Sequence, residues 1–553
     1  MEDFSILIGG KAGDGIRQIG GLVAGLLGKL GYHVFFWDDY PSLIRGGHNF
    51  SLIRACRCMI QANTSDVDLI VALNEDTINN HKWRLKPKGK VVYDADAFEA
   101  EGTGMKFTSI VKDAGGKPIM RNTAAFATIG KMLGLEWSVL EELVNTSFKK
   151  ETETNLAIAR AAYEQAGDAT LNIETGPAEP LPLMTGNEAI ALGAVAAGLD
   201  LYIAYPMTPS TSILHFLAAH EEELGVVTYH PENEIAAAVT AIGGAYAGAR
   251  TMVGSAGGGF ALMAESVSLA AQSEAPVVFV VSQRPGPSTG VPTYTTQGDL
   301  NFVLSAGHGE FLRFVVAPGD VNEAYELTAL AMNMAWEYQI PAFVLTDKCL
   351  SESTYCFETD GPEAKEVRKQ DGLLWDGKGE YKRYLDTKNG VSPLAFPGRA
   401  GAIVKGTSYE HDEAGITTEL PEAITAMQDK RMKKRPELIE DVKNLEAVKT
   451  YGKADSDVAL LTWGSTKGAC VEVAEKLGLK VVQPVILEPF PTEALKSALK
   501  GARKTIGVEV NVTGCLSDLA SCHGIEVHEK ILKYDGRHFT VDELQKRVEG
   551  VMK

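Results

Sequence analysis

The stretch Tyr202-Ile-Ala-Tyr-Pro-Met-Thr-Pro-Ser-Thr211 decides how the middle of this chain folds. An apolar run ends at Tyr205, Pro206 and Pro209 follow, and hydroxyl side chains then open an amphipathic segment. Proline fixes its own φ and drives the residue before it toward extended backbone, so the turn is stiff. We therefore predict a strand that ends in a rigid corner beside a helix, where Thr208 could help to bind an anion. An ordinary connection capped by Ser or Thr is the alternative.

The composition indicates a globular protein and excludes two classes of partner. The 553 residues are 45% hydrophobic, which is enough for several domain cores, and no apolar run reaches the length of a membrane span. The net charge of −19 argues against nucleic acid as a partner. Seven scattered cysteines and an N-terminus without a basic head predict a cytoplasmic protein with reduced thiols. No group of cysteines and histidines has zinc or iron–sulfur spacing, so we predict no metal site on this chain.

Residues 1–175 are predicted to form one α/β domain. A strand at 5–8 is followed by a glycine-rich turn, an amphipathic helix and a strand at 33–37, and this βαβ pattern favours a parallel sheet. The turn has the spacing G-x-x-G-x-G rather than the dinucleotide pattern G-x-G-x-x-G. Whether its backbone amides bind a phosphate, or the turn is simply tight, therefore stays open. The residues of such a phosphate loop would be Gly10, Gly13, Asp14, Gly15 and Arg45.

Further segments follow a linker rich in proline and glycine at 176–182. Residues 183–355 alternate between strand and helix patterns and are predicted to form a second α/β domain. Residues 356–450 are polar and are predicted to form an elaborated connection with surface helices, in which the basic stretch 430–435 is a solvated helix face. Residues 451–553 show the α/β pattern again. We thus predict an α/β protein with three parallel-sheet domains.

An acidic side chain follows a strand of the middle domain. The stretch His230-Pro-Glu-Asn-Glu-Ile-Ala-Ala-Ala238 leads into a helix of small residues, so Glu234 lies at the helix N-terminus. It could simply favour the helix dipole or cap the helix. Held in a dry and close-packed cleft, the carboxyl could instead share a proton with a cofactor ring nitrogen.

Two more loops leave strand ends in the same domain. The stretch Gly254-Ser-Ala-Gly-Gly-Gly259 precedes a helix and could cradle a ligand or be a flexible turn. Arg284-Pro-Gly-Pro-Ser-Thr-Gly290 combines a guanidinium with constrained backbone and hydroxyls, which suits a carboxylate clamp, although a surface arginine beside a loop is the alternative. Because parallel strands end at one edge of a sheet, we predict that these loops and the proline corner converge where α/β sheets bind ligands.

The proline corner also carries a family resemblance. Tyr205-Pro-Met-Thr-Pro-Ser-Thr211, with Met207 in place of the usual Ile, resembles the signature of the 2-oxoacid:ferredoxin oxidoreductases. The other matching segments are Gly186-Asn-Glu-Ala-Ile-Ala-Leu-Gly193, Glu232-Asn-Glu-Ile-Ala-Ala, Arg284-Pro-Gly-Pro-Ser-Thr-Gly290, Gln297-Gly-Asp-Leu-Asn301 and Gly507-Val-Glu-Val-Asn-Val-Thr-Gly514. Residues 1–175 are similar to the family's gamma subunit, and the rest is similar to its alpha subunit. That subunit combines the pyrimidine-binding domain of a thiamine enzyme with a transketolase C-terminal-like domain.

The resemblance implies an enzyme that uses thiamine diphosphate, Mg²⁺, an iron–sulfur cluster and coenzyme A. Glu234 matches the glutamate that hydrogen-bonds the aminopyrimidine ring, and Tyr205 and Pro206 belong to the same cofactor-binding segment. Thr208 and Arg284 match substrate-binding positions, and Thr289 is a further candidate. The implied reaction is the oxidative decarboxylation of a 2-oxoacid to an acyl-CoA and CO₂, with electrons passing to ferredoxin, or the reverse carboxylation.

The chain lacks a metal–diphosphate motif and a cysteine cluster, which in the family belong to the beta subunit. The resemblance therefore implies a beta-subunit partner that carries Mg²⁺ and a 4Fe-4S cluster, an (αβ)₂ heterotetramer, and ferredoxin as a further partner. The fusion of the gamma domain ahead of alpha favours 2-oxoglutarate as the substrate. The alternatives are pyruvate or a branched-chain 2-oxoacid, a transketolase-type enzyme, and a non-catalytic scaffold subunit that binds coenzyme A or the partner.

Overall fold

The residues that this computed structural model describes are 2–43, 47–167, 171–175, 178–359 and 367–552. They form two compact units. The first unit comprises Met1–Met184, Ser353–Thr359 and Phe539–Lys553, and the second comprises Thr185–Glu352 and Asp360–His538. Within the described ranges, none of the helices combines the length and the apolar character that crossing a lipid bilayer requires.

The strands and helices alternate along most of the chain, as expected for an α/β protein. The strands are β1 (Asp3–Lys11), β2 (His33–Asp39), β3 (His48–Cys56), β4 (Val67–Ala72), β5 (Leu85–Asp94), β6 (Thr103–Met105), β7 (Leu183–Thr185), β8 (Leu201–Ile203), β9 (Val227–Tyr229), β10 (Thr251–Ser255), β11 (Val277–Gln283), β12 (Phe314–Val316), β13 (Ala342–Asp347), β14 (Thr354–Cys356), β15 (Val448–Gly452), β16 (Val458–Leu461), β17 (Lys480–Pro484), β18 (Ile486–Glu488), β19 (Lys504–Glu509) and β20 (Glu529–Leu532). The helices are α1 (Ile16–Lys29), α2 (Glu75–His81), α3 (Phe107–Asp113), α4 (Arg121–Met132), α5 (Trp137–Ser147), α6 (Thr152–Gln165), α7 (Gly186–Ala196), α8 (Thr211–Ala219), α9 (Glu221–Leu224), α10 (Glu234–Ala247), α11 (Gly257–Gln272), α12 (Leu300–Ser305), α13 (Val321–Tyr338), α14 (Lys348–Glu352), α15 (Pro421–Asn444), α16 (Lys467–Leu477), α17 (Thr492–Ala498), α18 (Cys515–Cys522) and α19 (Val541–Met552). Short 3₁₀ helices lie at Lys82–Arg84, Pro118–Met120 and Gly464–Thr466.

The first unit is built on a mixed sheet with the strand order β6-β5-β4-β1-β3-β2-β14-β7. Strand β1 runs parallel to β4, while β3 lies between β1 and β2 and is antiparallel to both. The predicted β1-α1-β2 crossover is therefore present, with an inserted antiparallel strand that the local pattern did not indicate. Ile19, Val23 and Leu27 of α1 are buried in one core with Ile6 and Ile8 of β1, in agreement with the helical spacing of the apolar residues.

The middle sheet belongs to the second unit and has the order β18-β12-β13-β11-β10-β8-β9. All its neighbouring strands are parallel except β18, which pairs antiparallel with β12. The connections that leave β9, β8, β10 and β11 therefore start at one edge of the sheet, side by side. These four connections carry the proline corner, Glu234, the glycine-rich loop and Arg284.

A third sheet, with the order β15-β17-β16-β19-β20, forms the rest of the second unit. Only β15 pairs antiparallel in it, so this sheet is mostly parallel as well. Gln297, just beyond the Arg284 loop, joins the two sheets. Its side-chain amide donates to Trp463 O at 2.6 Å, and its side-chain oxygen accepts from Val510 N at 2.8 Å. Together the three sheets confirm the predicted α/β class.

The polar connection contains one long helix, α15, and the interpretation of its basic stretch as a solvated face is wrong. Lys430 and Lys434 are buried, and both form ion pairs with the buried Glu274, at 2.7 Å and 2.5 Å. The two lysines are four positions apart, so they lie on the same side of the helix. They share that side with Met427 and Leu438, which are buried in the same way. A basic run without apolar periodicity concealed this buried face, because its partner Glu274 is distant in sequence.

Candidate functional site

The proline corner is braced from a neighbouring helix. Asn187 of α7 donates from its side-chain amide to Pro209 O at 2.7 Å, and Ser210 Oγ donates to Met207 O at 2.9 Å. Helix α8 then starts at Thr211. The hydroxyl of Thr208 takes part in none of the hydrogen bonds among the described residues, so it is available to a ligand.

Glu234 is a buried carboxylate at the start of α10. The helix is capped by the preceding residue, because Asn233 Oδ1 accepts from Ala236 N at 2.9 Å. The Glu234 side chain is therefore not needed as the cap. It is 4% exposed, and its carboxylate accepts no hydrogen bond from any residue that the structure describes. Because a buried carboxylate without a hydrogen-bond partner is costly, this arrangement suits a ligand that brings a polar N–H to it.

The glycine-rich loop lets backbone approach this carboxylate. A Cβ at Gly259 would lie 2.7 Å from Glu234 Oε1 and would collide with Ser255 Oγ. A side chain at this position would therefore push into the space that Glu234 occupies. At Gly258 the nearest atom to an added Cβ would be Ser288 O at 3.7 Å, so the Arg284 loop passes over the start of α11. The loop after β10 and the loop after β11 thus meet beside Glu234.

Arg284 connects the two sides of the site. Its Nη1 donates to Thr208 O at 2.8 Å, and its Nε is buried with no hydrogen-bond partner among the described residues. Burial lowers the pKa of Arg284, while the charges of Asp299 and Glu234 act in the opposite direction. The guanidinium is thus fixed in place at one nitrogen and retains another donor for an anionic group.

Asp299 lies beside Arg284, and although its segment 297–301 carried the family resemblance, no role was predicted for it from the sequence. Burial raises the pKa of its carboxyl to about 6, and the charge of Arg284 opposes this shift. Its backbone N–H donates to Gln283 Oε1 at 2.9 Å, and a Cβ at Gly257 would collide with its Oδ2. One signal could have found it: Asp299 is the only acidic residue between Arg284 and Glu310.

A cavity of about 480 Å³ lies beside Arg284 and Asp299. Arg284 and Asp299 lie on one wall, and Asn511 and Thr513 of the third sheet's connections lie on another. Asn511 is held there because its side-chain amide donates to Gln297 O at 3.0 Å. The cavity is therefore formed by both α/β layers of the second unit, and it has room for a small organic anion.

The remaining predicted site residues of the second unit lie around this centre at its surface. Tyr205 is 37% exposed, and its ring packs edge-on against His230 with ring centroids 5.8 Å apart. Pro206 is partly buried in the same corner, and Thr289 is exposed in the loop after Arg284. The structure thus brings Thr208, Glu234 and Arg284 together. Tyr205, Pro206 and Thr289 are more exposed than Glu234.

The glycine-rich turn of the first unit is the predicted candidate phosphate loop. Gly13 and Gly15 have the left-handed φ values 96° and 72°, and a Cβ at Gly15 would collide with the Asn122 side chain. Asp14 accepts from Lys11 N at 2.8 Å and forms an ion pair with Arg121 at 2.7 Å. Asp14 therefore stabilises the turn.

A cavity of about 420 Å³ lies beside this turn and is lined in part by Lys11, Gly13, Gly15 and Arg17. Gly10 lies behind the turn, where a Cβ would be 3.0 Å from Asp14 Oδ2. Arg45, which completes the predicted phosphate loop, lies outside the described residues.

The fold is that of an α/β protein, and the residues gathered at the strand ends form a candidate ligand site. Residues 192–430 match the family described as "Pyruvate flavodoxin/ferredoxin oxidoreductase, thiamine diP-bdg", and residues 5–165 match "Pyruvate ferredoxin/flavodoxin oxidoreductase". The chain is 31% identical to subunit alpha of 2-oxoacid:ferredoxin oxidoreductase 2 from Aeropyrum pernix, over 97% of this chain and 96% of that protein. It is 30% identical to the 2-oxoglutarate synthase subunit KorA from Methanocaldococcus jannaschii, over 66% of this chain and 99% of that protein.

Among solved structures, 2-oxoglutarate:ferredoxin oxidoreductase from Magnetococcus marinus, with 2-oxoglutarate, coenzyme A and succinyl-CoA bound, is similar over 100% of both chains. The TM-score is 0.90 and the sequence identity is 28%. This chain belongs to the 2-oxoacid:ferredoxin oxidoreductase family, which confirms the family predicted from its motifs. It is a subunit of a multi-subunit oxidoreductase and carries the family's thiamine diphosphate-binding domain.

Proposed function

We propose that this chain is the alpha-type subunit of an enzyme that oxidatively decarboxylates 2-oxoglutarate to an acyl-CoA and CO₂, with electrons passing to ferredoxin, or runs the reverse carboxylation. The observation that carries the proposal is that the buried Glu234 carboxylate, which has no hydrogen-bond partner among the described residues, lies beside the half-buried guanidinium of Arg284. A thiamine enzyme that acts on a 2-oxoacid requires a carboxyl group that binds the cofactor's pyrimidine ring and a cation that binds the substrate's carboxylate. Both are expected at the same edge of the sheet.

The residues around Glu234 fit the pyrimidine ring of thiamine diphosphate. Its carboxylate is free of protein hydrogen bonds in the described residues, and Gly259 leaves a close approach open beside it. Glu234 would hold a proton between its carboxyl oxygen and a ring nitrogen, while Tyr205 and Pro206 would line the edge of the same site. When bound, the cofactor supplies an electron sink for the loss of CO₂.

Arg284 is proposed to bind the carboxylate of the oxoacid. One of its five N–H groups, on Nη1, is committed to Thr208 O, so the other N–H groups, that of the buried Nε among them, remain for a ligand. The Thr208 hydroxyl would donate to the keto oxygen, and Thr289 would add a hydroxyl from the exposed loop. A guanidinium fixed at one end loses little entropy when it binds, which favours affinity for a carboxylate.

The choice of 2-oxoglutarate rests on the relatives, because the KorA protein and the Magnetococcus marinus enzyme are both named for this substrate. Pyruvate or a branched-chain 2-oxoacid would be bound through the same Arg284 and Thr208, since the carboxylate and keto group are common to all of them. A non-catalytic scaffold subunit would not need a buried, unpartnered carboxylate, and this makes it the weaker candidate.

Coenzyme A is proposed to bind with its phosphates at the turn of the first unit. The left-handed Gly13 and Gly15 present backbone amides at the start of α1. Lys11 and Arg17 line the cavity beside them together with Asp38 and Asp39, and Arg17 forms an ion pair with Asp38 at 3.3 Å. The Asp14 carboxylate accepts a hydrogen bond from Lys11 N and pairs with Arg121. Its negative charge is therefore partly neutralised and repels a bound phosphate less. Backbone amides at a helix N-terminus bind phosphate without requiring a particular side chain.

A beta subunit is proposed to complete the main site with Mg²⁺ and a 4Fe-4S cluster, in an (αβ)₂ heterotetramer that passes electrons to ferredoxin. Exposed apolar side chains follow Glu234 along α10, and we take them as the candidate surface for this partner. It is formed by Ile235, Val239 and Tyr246 of α10 and Leu262 of α11. Exposed apolar patches of this kind mark protein interfaces. The face adjoins the half-site, so a ligand shared between the two subunits would lie beside it.

The test is a complex of this chain with its co-expressed beta subunit, assayed with 2-oxoglutarate, pyruvate and a branched-chain 2-oxoacid in the presence of coenzyme A and an electron acceptor. We expect coenzyme-A-dependent reduction of the acceptor, fastest with 2-oxoglutarate. Glu234→Gln should lower kcat by about 10²- to 10⁴-fold, because the variant carboxamide cannot hold the proton. The matched control is Glu422→Gln at the exposed start of α15, which should keep full activity.

Unchanged turnover in the Glu234→Gln complex would contradict a catalytic role and favour the scaffold function. If the complex reduced the acceptor faster with pyruvate than with 2-oxoglutarate, the proposed type of reaction would stand but the assignment of 2-oxoglutarate as the substrate would be wrong.

A further inference from the structure

Two thiols lie side by side at the end of β3 in the first unit. Cys56 is the last residue of the strand and is buried, whereas Cys58 is exposed. Their Sγ atoms are 2.6 Å apart, and both residues are free cysteines. Two sulfurs this close can be joined without moving the backbone far.

The turn that brings the thiols together is held by the residue between them. Arg57 donates from its guanidinium to Leu30 O at 2.8 Å and to Glu174 O at 2.7 Å, and it lies 4.0 Å from the centroid of the Tyr32 ring. The backbone N–H of Cys58 also donates to Cys56 Sγ at 3.3 Å. Arg57 therefore points away from the sulfurs and fixes the turn that places them face to face.

The two thiols differ in their access to solvent. Cys56 is 4% exposed, and burial, followed by its hydrogen bond with Cys58, raises its pKa to about 12. The Cys56 sulfur thus stays protonated and is shielded from solutes. Cys58 is open to solvent, so an oxidant dissolved in water meets Cys58 first.

We propose that Cys56 and Cys58 are a peroxide-responsive pair, in which Cys58 is the oxidised thiol and Cys56 is the resolving thiol. The Cys58 thiolate attacks hydrogen peroxide, the O–O bond breaks, and Cys58 sulfenic acid and, after uptake of a proton, water are formed. The Cys56 sulfur then attacks the sulfenic sulfur. An S–S bond forms, the S–O bond breaks, and the hydroxyl leaves with the Cys56 proton as a second water.

The product is a reversible intrachain disulfide rather than an overoxidised thiol. A sulfenic acid without a nearby thiol proceeds to sulfinic acid, which thiol reductants do not repair. With Cys56 Sγ already in contact, condensation is intramolecular and precedes that second oxidation. A dithiol reductant restores both thiols by exchange.

The experiment treats the full chain with hydrogen peroxide in the presence of dimedone, which traps sulfenic acid, then unfolds it in denaturant so that N-ethylmaleimide reaches every free thiol, and maps the peptides by mass spectrometry. We expect Cys56 and Cys58 to lose maleimide labelling together, with a peptide mass lower by about 2 Da. Dithiothreitol should restore both labels. Cys522, an exposed cysteine at the end of α18, is the internal control and should oxidise without such a mass loss.

Two variants separate the roles of the two thiols. Cys56→Ser should increase dimedone labelling of Cys58 several-fold and allow its sulfinic acid to accumulate, whereas Cys58→Ser should leave Cys56 reduced. Should Cys56→Ser disturb folding, the cross-linked wild-type peptide still decides the matter. Equal dimedone labelling of Cys58 in wild type and Cys56→Ser, or a disulfide from Cys58 to another cysteine, would overturn the proposal.

Discussion

At the scale of single residues, Arg284 does two tasks with one guanidinium. One nitrogen fixes it to the backbone of the proline corner, and another has no partner among the described residues and is left for a ligand. Asp299 lies close enough to influence its charge, so the two residues form a partly compensated pair. A substrate carboxylate would compete with Asp299 for this cation, and this competition sets how tightly the substrate is held.

Arg284→Ala should raise the KM for the oxoacid by about 10- to 100-fold, because a charge-assisted hydrogen bond contributes roughly 1.5–3 kcal/mol. The effect should be visible in steady-state kinetics of the complex with the beta subunit. Arg399→Ala removes an exposed arginine of the same unit and should leave KM unchanged. An unchanged KM in Arg284→Ala would rule out the carboxylate clamp.

Asp299 should make the stability of the protein depend on pH in a definite direction. The pKa of its carboxyl is raised to about 6 in the folded chain, whereas an unfolded chain ionises it at about 3.9. Between these values the folded state binds more protons, so stability contributed by this residue is lost as pH rises.

Asp299→Asn cannot ionise, so it should become more stable relative to wild type as the pH rises from about 4 to 6.5, by up to about 3 kcal/mol in total. Urea unfolding at several pH values measures this difference. Asp429→Asn replaces an exposed acid of α15 and should show no such trend. A difference that stays constant with pH would contradict the assignment of the shift to Asp299.

At the scale of elements, α15 is attached to the second unit through a buried charge cluster. Lys430 and Lys434 both contact Glu274, whose pKa is held well below its usual range by these lysines despite its burial. The pKa of Lys434 is in turn lowered to about 8 by burial. Breaking one member of such a cluster leaves the others buried without compensation.

Glu274→Gln should therefore lower the free energy of unfolding by about 3–5 kcal/mol. Asp386→Asn is the matched control, because Asp386 pairs with Lys433 of the same helix at 2.5 Å but both side chains are exposed by a third or more. Asp386→Asn should lower the free energy of unfolding by less than about 1 kcal/mol. Denaturant and thermal melts of both variants provide the comparison, and equal losses would show that the burial of the cluster is unimportant.

At the scale of the whole molecule, we propose that a partner subunit completes the main site. In that proposal Glu234 supplies the acid that binds the cofactor ring, and Arg284 supplies the cation that binds the substrate anion. Among the described residues, no grouping of acidic, cysteine and histidine side chains is suited to hold a metal ion. The apolar face of α10 and α11 next to Glu234 is the surface on which we expect the partner subunit to bind.

Ile235→Asp should weaken binding to the beta subunit by at least about tenfold, since a charge buried in an apolar interface costs more than about 1.4 kcal/mol. Ile119→Asp is the matched control, because Ile119 and Ile235 are 51% and 50% exposed. Sedimentation or titration of the purified subunits measures the affinities. The partner surface would have to lie elsewhere if both variants bound like wild type.

The sequence by itself determined the α/β class, the family, and the strand-end positions of Thr208, Glu234 and Arg284. These properties follow from local patterns, since an apolar run bounded by turn residues predicts where a strand ends and which residue follows it. The proline corner is the clearest case, because two prolines restrict the backbone whatever surrounds them.

Only the tertiary structure decided that β3 is inserted between β1 and β2, that Asp299 lies near Arg284, and that Lys430 and Lys434 are buried against Glu274. Each of these depends on residues that are distant in the chain or on burial that local charge does not reveal. A lysine is expected at the surface until its carboxylate partner is known. Pairing between distant segments is set by the packing of the whole unit, and the sequence pattern of either segment alone does not specify it.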